Sequence, residues 1–130
     1  MLIARLTTWW EGRWKAERER LLPESRVIVT TDDQGIRAAY PDGRTQQIRW
    51  NQIVRVSIET DDSGPWGADV WWIFDGSDER VAYPQGATGE NEAMGVYGER
   101  LHGFNWEAVV RANGSTSNAR FICWEKHRAG

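Results

Sequence analysis

Between Ile58 and Ala87 the chain alternates apolar runs with turns so closely that few folds can accommodate it. Val54, Val56 and Ile58 alternate with Arg55, Ser57 and Glu59, the period of a strand with one face in a core. Asp61-Asp62-Ser63-Gly64-Pro65 is the next turn. The run Asp69–Asp75 is then apolar on both faces, Val70, Trp72 and Phe74 against Trp71 and Ile73, which predicts a central strand covered from two sides. Asp75-Gly76-Ser77-Asp78 turns into a third strand, Glu79–Tyr83, and Pro84 ends it. Consecutive strands joined by tight turns must pair antiparallel, because a parallel pair needs a long crossover.

The same grammar extends upstream. Arg26–Thr31, Ile36–Tyr40, Arg44–Trp50 and Gln52–Thr60 read as strands, separated by Asp32-Asp33-Gln34-Gly35 and by Pro41-Asp42-Gly43, where Pro sets φ and Gly accepts a positive one. Downstream the period changes. Glu90–His102 is helical, with Ala93, Met94, Tyr97 and Leu101 on one face; Gly95 and Gly98 each weaken it by about 1 kcal/mol relative to Ala, so packing must hold it. Asn105 is an N-cap for a second helix, Trp106–Ala112, and Gly114 its terminator. Ala119–Trp124 reads as a last strand or as an extended segment laid on the sheet. Strands first and helices afterwards predict an α+β fold: a curved antiparallel β-meander of six to seven strands with two helices packed after the sheet, in a single domain over 26–130. Residues 1–25 stand apart as an N-terminal amphipathic helix. Leu2, Leu6, Trp9, Trp10, Trp14 and Leu21 recur at helical spacing, Arg13, Lys15, Arg18, Glu19 and Arg20 fall on other faces, and Pro23 stops it.

Composition narrows the function. With 130 residues the chain is the size of one domain, and nine Trp, three Tyr and three Phe offer enough burial to exclude disorder. The net charge of −3 is unevenly spread: residues 27–99 carry five Arg and thirteen Asp or Glu, between ends with a basic excess. An acidic body disfavours a groove that tracks phosphates and suits a basic protein partner. The single Cys123 excludes an intramolecular disulfide, no apolar run approaches the length of a membrane span, and the N-terminus lacks a signal-peptide core. The expected residence is the cytoplasm.

Ile48-Arg49-Trp50-Asn51-Gln52-Ile53, Thr60-Asp61-Asp62-Ser63-Gly64-Pro65, Asp69-Val70-Trp71-Trp72, Pro84-Gln85-Gly86-Ala87, Gly103-Phe104 and Phe121-Ile122-Cys123-Trp124-Glu125 together resemble a family of small bacterial proteins of uncharacterised function. The strand layout over roughly 26–125 is similar to that of bacterial pleckstrin-homology-like domains. That resemblance implies a curved antiparallel sheet closed by a helix. The loops corresponding to the basic inter-strand loop of lipid-binding members are acidic here, and a fold alone implies no activity.

No reactive constellation emerges. Asp61, Asp62, Asp69, Asp75, Asp78 and Glu79 cluster at turns, where Asp bonds nearby backbone N–H groups, and their spacing matches no EF-hand loop. Cys123 sits between Ile122 and Trp124 in a strand-like run, the setting of an inert buried thiol; with His102 and His127 it makes no recognised zinc set. Walker, dinucleotide and nucleophile-elbow motifs are missing from the sequence. No catalytic residue, metal ligand or cofactor is assigned. Trp50, Trp71, Trp72, Trp106 and Trp124 belong to regular elements and are expected in the core, whereas Trp66 sits in a Gly-Pro-Trp-Gly turn suited to a contact. The expected function is a non-enzymatic protein-binding module using Asp61, Asp62, Trp66 and Asp69 at a sheet rim, in the manner of an immunity protein that blocks a partner's surface. Two alternatives stand beside it. One is peripheral membrane association, or a homo-oligomer contact, through Trp9, Trp10 and Trp14. The other is an enzyme with an unfamiliar site.

Overall fold

The computed structural model describes residues 26–64, 67–115 and 118–126. Along the chain run β1 (Ile28–Thr31), β2 (Gly35–Ala39), β3 (Thr45–Arg49), a 3-10 turn (Trp50–Gln52), β4 (Arg55–Gly64), β5 (Gly67–Asp75), β6 (Arg80–Pro84), α1 (Glu90–Arg100), α2 (Trp106–Asn113) and β7 (Ala119–Glu125). The α+β expectation holds, and every strand pairing is antiparallel. The meander does not run through one sheet. It divides into a three-stranded sheet, β1-β2-β3, and a four-stranded sheet, β6-β5-β4-β7, with β7 returning after the helices to the free side of β4. The helix expected over residues 1–22, with Trp9, Trp10 and Trp14, lies outside the described residues.

The break after β3 is set by contacts that Trp50 makes with the β1–β2 turn. The Trp50 indole N–H donates to the Asp32 carbonyl at 2.9 Å and its backbone N–H to the Gln34 carbonyl at 3.1 Å, which turns the chain back toward the β1–β2 turn. Ile53 plugs the corner in the core, and Val54 joins the second sheet by donating to Asp75 and accepting from Lys126. The sheets meet where β3 approaches β6. There the Gln46 side chain accepts the Ala82 N–H at 2.9 Å and the Tyr40 hydroxyl donates to the Ala82 carbonyl. Side chains thus satisfy an edge that would otherwise present unpaired backbone groups.

The core lies between the sheets and the helices. Val56, Ile58, Trp72, Phe74, Val81 and Tyr83 come from the larger sheet, Val29, Ile36, Ala38 and Ile48 from the smaller, and Ala93, Tyr97, Ala108, Val109 and Ala112 from α1 and α2. Trp72 is its centre, 1% exposed, with the Phe74, Tyr83 and Phe104 rings stacked at 6.1–6.4 Å. Trp72 alone among the five element-borne indoles is fully buried. Trp50, Trp71 and Trp124 are half-buried, and Trp106, expected inside, is 39% exposed. The reason is α1: Trp106 lies across Gly98, where an added Cβ would sit 3.4 Å from the indole nitrogen, so the ring packs on a helix surface instead of entering the core. Asn105 caps α2 as the sequence predicts, its Oδ1 accepting the Ala108 N–H at 3.2 Å.

Candidate functional site

β4 and β5 are the longest strands, of ten and nine residues, and they outrun both neighbours. β6 stops pairing with β5 at Pro84↔Trp71, and β7 stops pairing with β4 at Ala119↔Thr60. Beyond those rungs, residues 61–64 and 67–69 pair with each other and with no other strand among the described residues, so the end of the hairpin projects past both neighbours. Asp61 and Asp69 are cross-strand partners there, and the register shifts by a residue before Gly64 meets Gly67.

This corrects the reading of Asp61-Asp62-Ser63-Gly64 as a turn. The segment has low intrinsic strand preference, but pairing with Gly67-Ala68-Asp69 overrides it and carries the strand to Gly64. The backbone therefore places Asp61, Asp62 and Asp69 on the same projecting hairpin. Trp66 lies outside the described residues.

At the base of this arm the outer face of the four-stranded sheet forms a groove of about 540 Å³. Its floor is Trp71, Ile73 and Ala82, the residues that strand alternation turns away from the core; Gln46 borders it from β3, and Asp61 and Asn118 close the hairpin end. Successive rungs make the pattern regular. Pro84, Trp71, Glu59 and Arg120 share one rung, Ala82, Ile73, Ser57 and Ile122 the next, and Arg80, Asp75, Arg55 and Glu125 the one after. An apolar rung is thus flanked by charged ones, and the charges are matched across strands: Arg120 to Glu59 at 2.7 Å, Arg80 to Asp75 at 2.7 Å and Arg55 to Glu125 at 3.1 Å.

Comparison with protein-family models, curated proteins and solved structures finds no match.

The other candidates sit apart from the groove. Cys123 is buried, its thiol within 3.8 Å of the Phe121 carbonyl, and burial pushes its pKa up to about 11 against the opposing pull of Arg111. A thiol so placed stays protonated at neutral pH and is a poor nucleophile. His102 is exposed, its carbonyl accepting the Trp124 indole N–H at 2.8 Å, and His127 lies outside the described residues. No group of three or more His, Cys, Asp or Glu is positioned to hold a metal ion among the described residues, nor is any helix among them long and apolar enough to cross a membrane.

Glu90 is the functional group that the sequence did not single out. It opens α1, is only 9% exposed, and accepts the Gly86 N–H on Oε1 at 3.0 Å, while Oε2 has no hydrogen-bond partner among the described residues. Burial raises its pKa, outweighing the opposing pull of the Gly86 N–H and the Trp72 indole. Nearby, the Tyr83 and Tyr97 hydroxyls share a 2.6 Å hydrogen bond. The sequence signal was weak, because an acid at a helix start is ordinarily solvated, whereas this one is held against the Gly86 N–H and the Trp72 indole.

Proposed function

We propose that this protein is a non-enzymatic recognition module that binds a protein partner at the projecting end of the β4–β5 hairpin and in the adjoining groove. One observation carries the reading: the hairpin outruns both flanking strands, with acidic residues at opposed register positions. A cationic partner surface is attracted to an arm that carries Asp61, Asp62 and Asp69 within a few residues of one another, and their charge steers the encounter. The groove behind it supplies Trp71 and Ile73 as an apolar anchor beside hydrogen-bonding and charged groups, the composition of a protein-recognition surface. Inhibition of a basic partner by covering its surface, as an immunity protein does, fits this arrangement, and the partner's cationic side chains would lie along Asp61, Asp62 and Asp69.

Site-specific photo-crosslinking tests the reading. A photoreactive residue at Asn118, bordering the groove, should give a discrete adduct in native lysate whose yield falls in Asp61→Lys and Asp62→Lys variants. The reading also expects the adduct to be lost at high salt. An adduct insensitive to both charge reversals and to salt would sink it.

A further inference from the structure

The smaller sheet carries a second concavity, on its own outer face. Along β2 the residues alternate, Ile36 and Ala38 into the core and Gly35 and Arg37 outward. Arg37 is flanked on its rung by Thr30 of β1 and Gln47 of β3, and on the next rung Gly35 faces Arg49. Arg37 and Arg49 are therefore diagonal neighbours on one face, a relation that sets Cβ atoms about 7 Å apart. Gly35 has no side chain to fill the space between them. An added Cβ there would lie 2.0 Å from the Ile48 carbonyl oxygen, so the strands' close approach requires glycine. The outcome is a hollow of about 590 Å³ with Thr30, Gln34, Arg37, Gln47, Arg49 and Gln52 in its wall.

Both guanidinium groups, like that of Arg26, lack an ion pair among the described residues, and these two share one face. Arg44, Arg55, Arg80, Arg100, Arg111 and Arg120 each pair with a carboxylate at 3.1 Å or less. Arg37 and Arg49 make no ion pair among the described residues, although two acidic side chains line the same hollow. Those acids are engaged elsewhere. Asp32 Oδ1 accepts the Gln34 and Gly35 N–H groups at 2.8 and 3.0 Å, and Glu79 Oε2 accepts from the Gln52 amide at 3.3 Å.

We propose that this hollow on the outer face of the three-stranded sheet is a binding site for a single compact oxyanion, a carboxylate or phosphate group, held between Arg37 and Arg49. Guanidinium forks suit planar or tetrahedral oxyanions, and Thr30 and Gln47 add neutral hydrogen-bonding groups on the same rung. The site is not built for a polyanion. Asp32 and Glu79 put negative charge on the margins, where the successive phosphates of a nucleic acid would run. The ligand is therefore one anionic group, delivered free or on a peptide side chain. The site is independent of the acidic hairpin and stands whether or not that surface binds protein.

Amide and arginine Nε–H NMR spectra of the full chain, titrated separately with inorganic phosphate, acetate and a capped glutamate-containing tripeptide, test this. Saturable shifts are expected at Arg37, Gln47 and Arg49, and Arg37→Gln or Arg49→Gln should weaken binding about tenfold each, the loss of one charge-assisted contact. Both side chains are exposed, so the variants should keep the parent's thermal midpoint. Preference for phosphate or acetate over the tripeptide identifies a free ligand; preference for the tripeptide identifies a protein-borne one. Shifts that stay linear with all three probes, or saturable shifts that survive both substitutions, would overturn the proposal.

Discussion

Replacing Tyr97 with phenylalanine deletes one hydroxyl from the centre of the core and leaves the other stranded. Tyr83 and Tyr97 are both fully buried, and their oxygens lie 2.6 Å apart. Burial raises both phenol pKa values, so the pair remains a neutral O–H···O hydrogen bond across the working pH range. Truncating either residue leaves a buried hydroxyl without its partner, which costs about 1–3 kcal/mol. Truncating both removes the polar atoms together and costs only the net worth of one bond, about 1 kcal/mol. The two single losses should therefore overlap by about 1–3 kcal/mol in a double-mutant cycle. For a domain of this size a 2 kcal/mol loss lowers the melting midpoint by about 6–12 °C. The assay is urea unfolding of the parent, Tyr83→Phe, Tyr97→Phe and the double variant, followed by Trp fluorescence, with equal m-values as the two-state check. Additivity within about 0.5 kcal/mol would refute the reasoning, since it would mean that the hydroxyls do not satisfy one another.

Glu90→Gln should flatten one component of the pH dependence of stability. A carboxyl whose pKa is raised by folding contributes stability below its unfolded pKa and loses it as pH rises through the folded value, so parent minus variant should decline with rising pH just above the ordinary carboxylate range; urea midpoints across that range check it, and a difference that rises with pH would count against a buried Glu90. Gly35→Ala should cost about 1–3 kcal/mol by overpacking, measured by the same unfolding curves, because the new methyl meets the β3 backbone. Cys123 should react with a thiol reagent at least about a hundredfold more slowly in the native protein than in denaturant, its labelling limited by opening of the core, as stopped-flow absorbance would show.

Local pattern carried most of the element boundaries. The alternation of Val56 and Ile58, the Pro41-Asp42-Gly43 turn, the Asn105 cap and the buried thiol at Cys123 all have causes within a few residues in sequence, and the structure places them accordingly. Two features were illegible because their causes are distant. The split between sheets depends on Trp50 reaching back to Asp32 and Gln34, and strand alternation contains no trace of that contact. The extension of β4 through Asp61-Asp62-Ser63-Gly64 depends on a partner strand that supplies backbone pairing regardless of side-chain preference. The acidic rim could be picked out from composition, but the groove behind it could not. It arises from register, which sets Trp71 opposite Glu59 and Ile73 opposite Ser57.

Charge shows most sharply why position along the chain and position in space differ. Residues 27–99 hold an acidic excess, which by itself suggests one acidic body. Folding redistributes it. Arg120, from the basic C-terminal stretch, crosses to Glu59, Arg55 pairs with Glu125, and Arg100 reaches Asp33 at 2.8 Å. Such exposed pairs add little stability individually, but each removes a positive and a negative charge from what a partner can sense. The two proposed sites then rest on different charged groups: acidic register positions on the projecting hairpin of one sheet, and on the outer face of the other the guanidinium groups of Arg37 and Arg49, which make no ion pair among the described residues. Under the two proposals a molecule of net charge −3 offers separate surfaces to a cationic and to an anionic group. Raising the ionic strength should weaken both associations together while leaving the fold, whose core is apolar and aromatic, nearly unchanged.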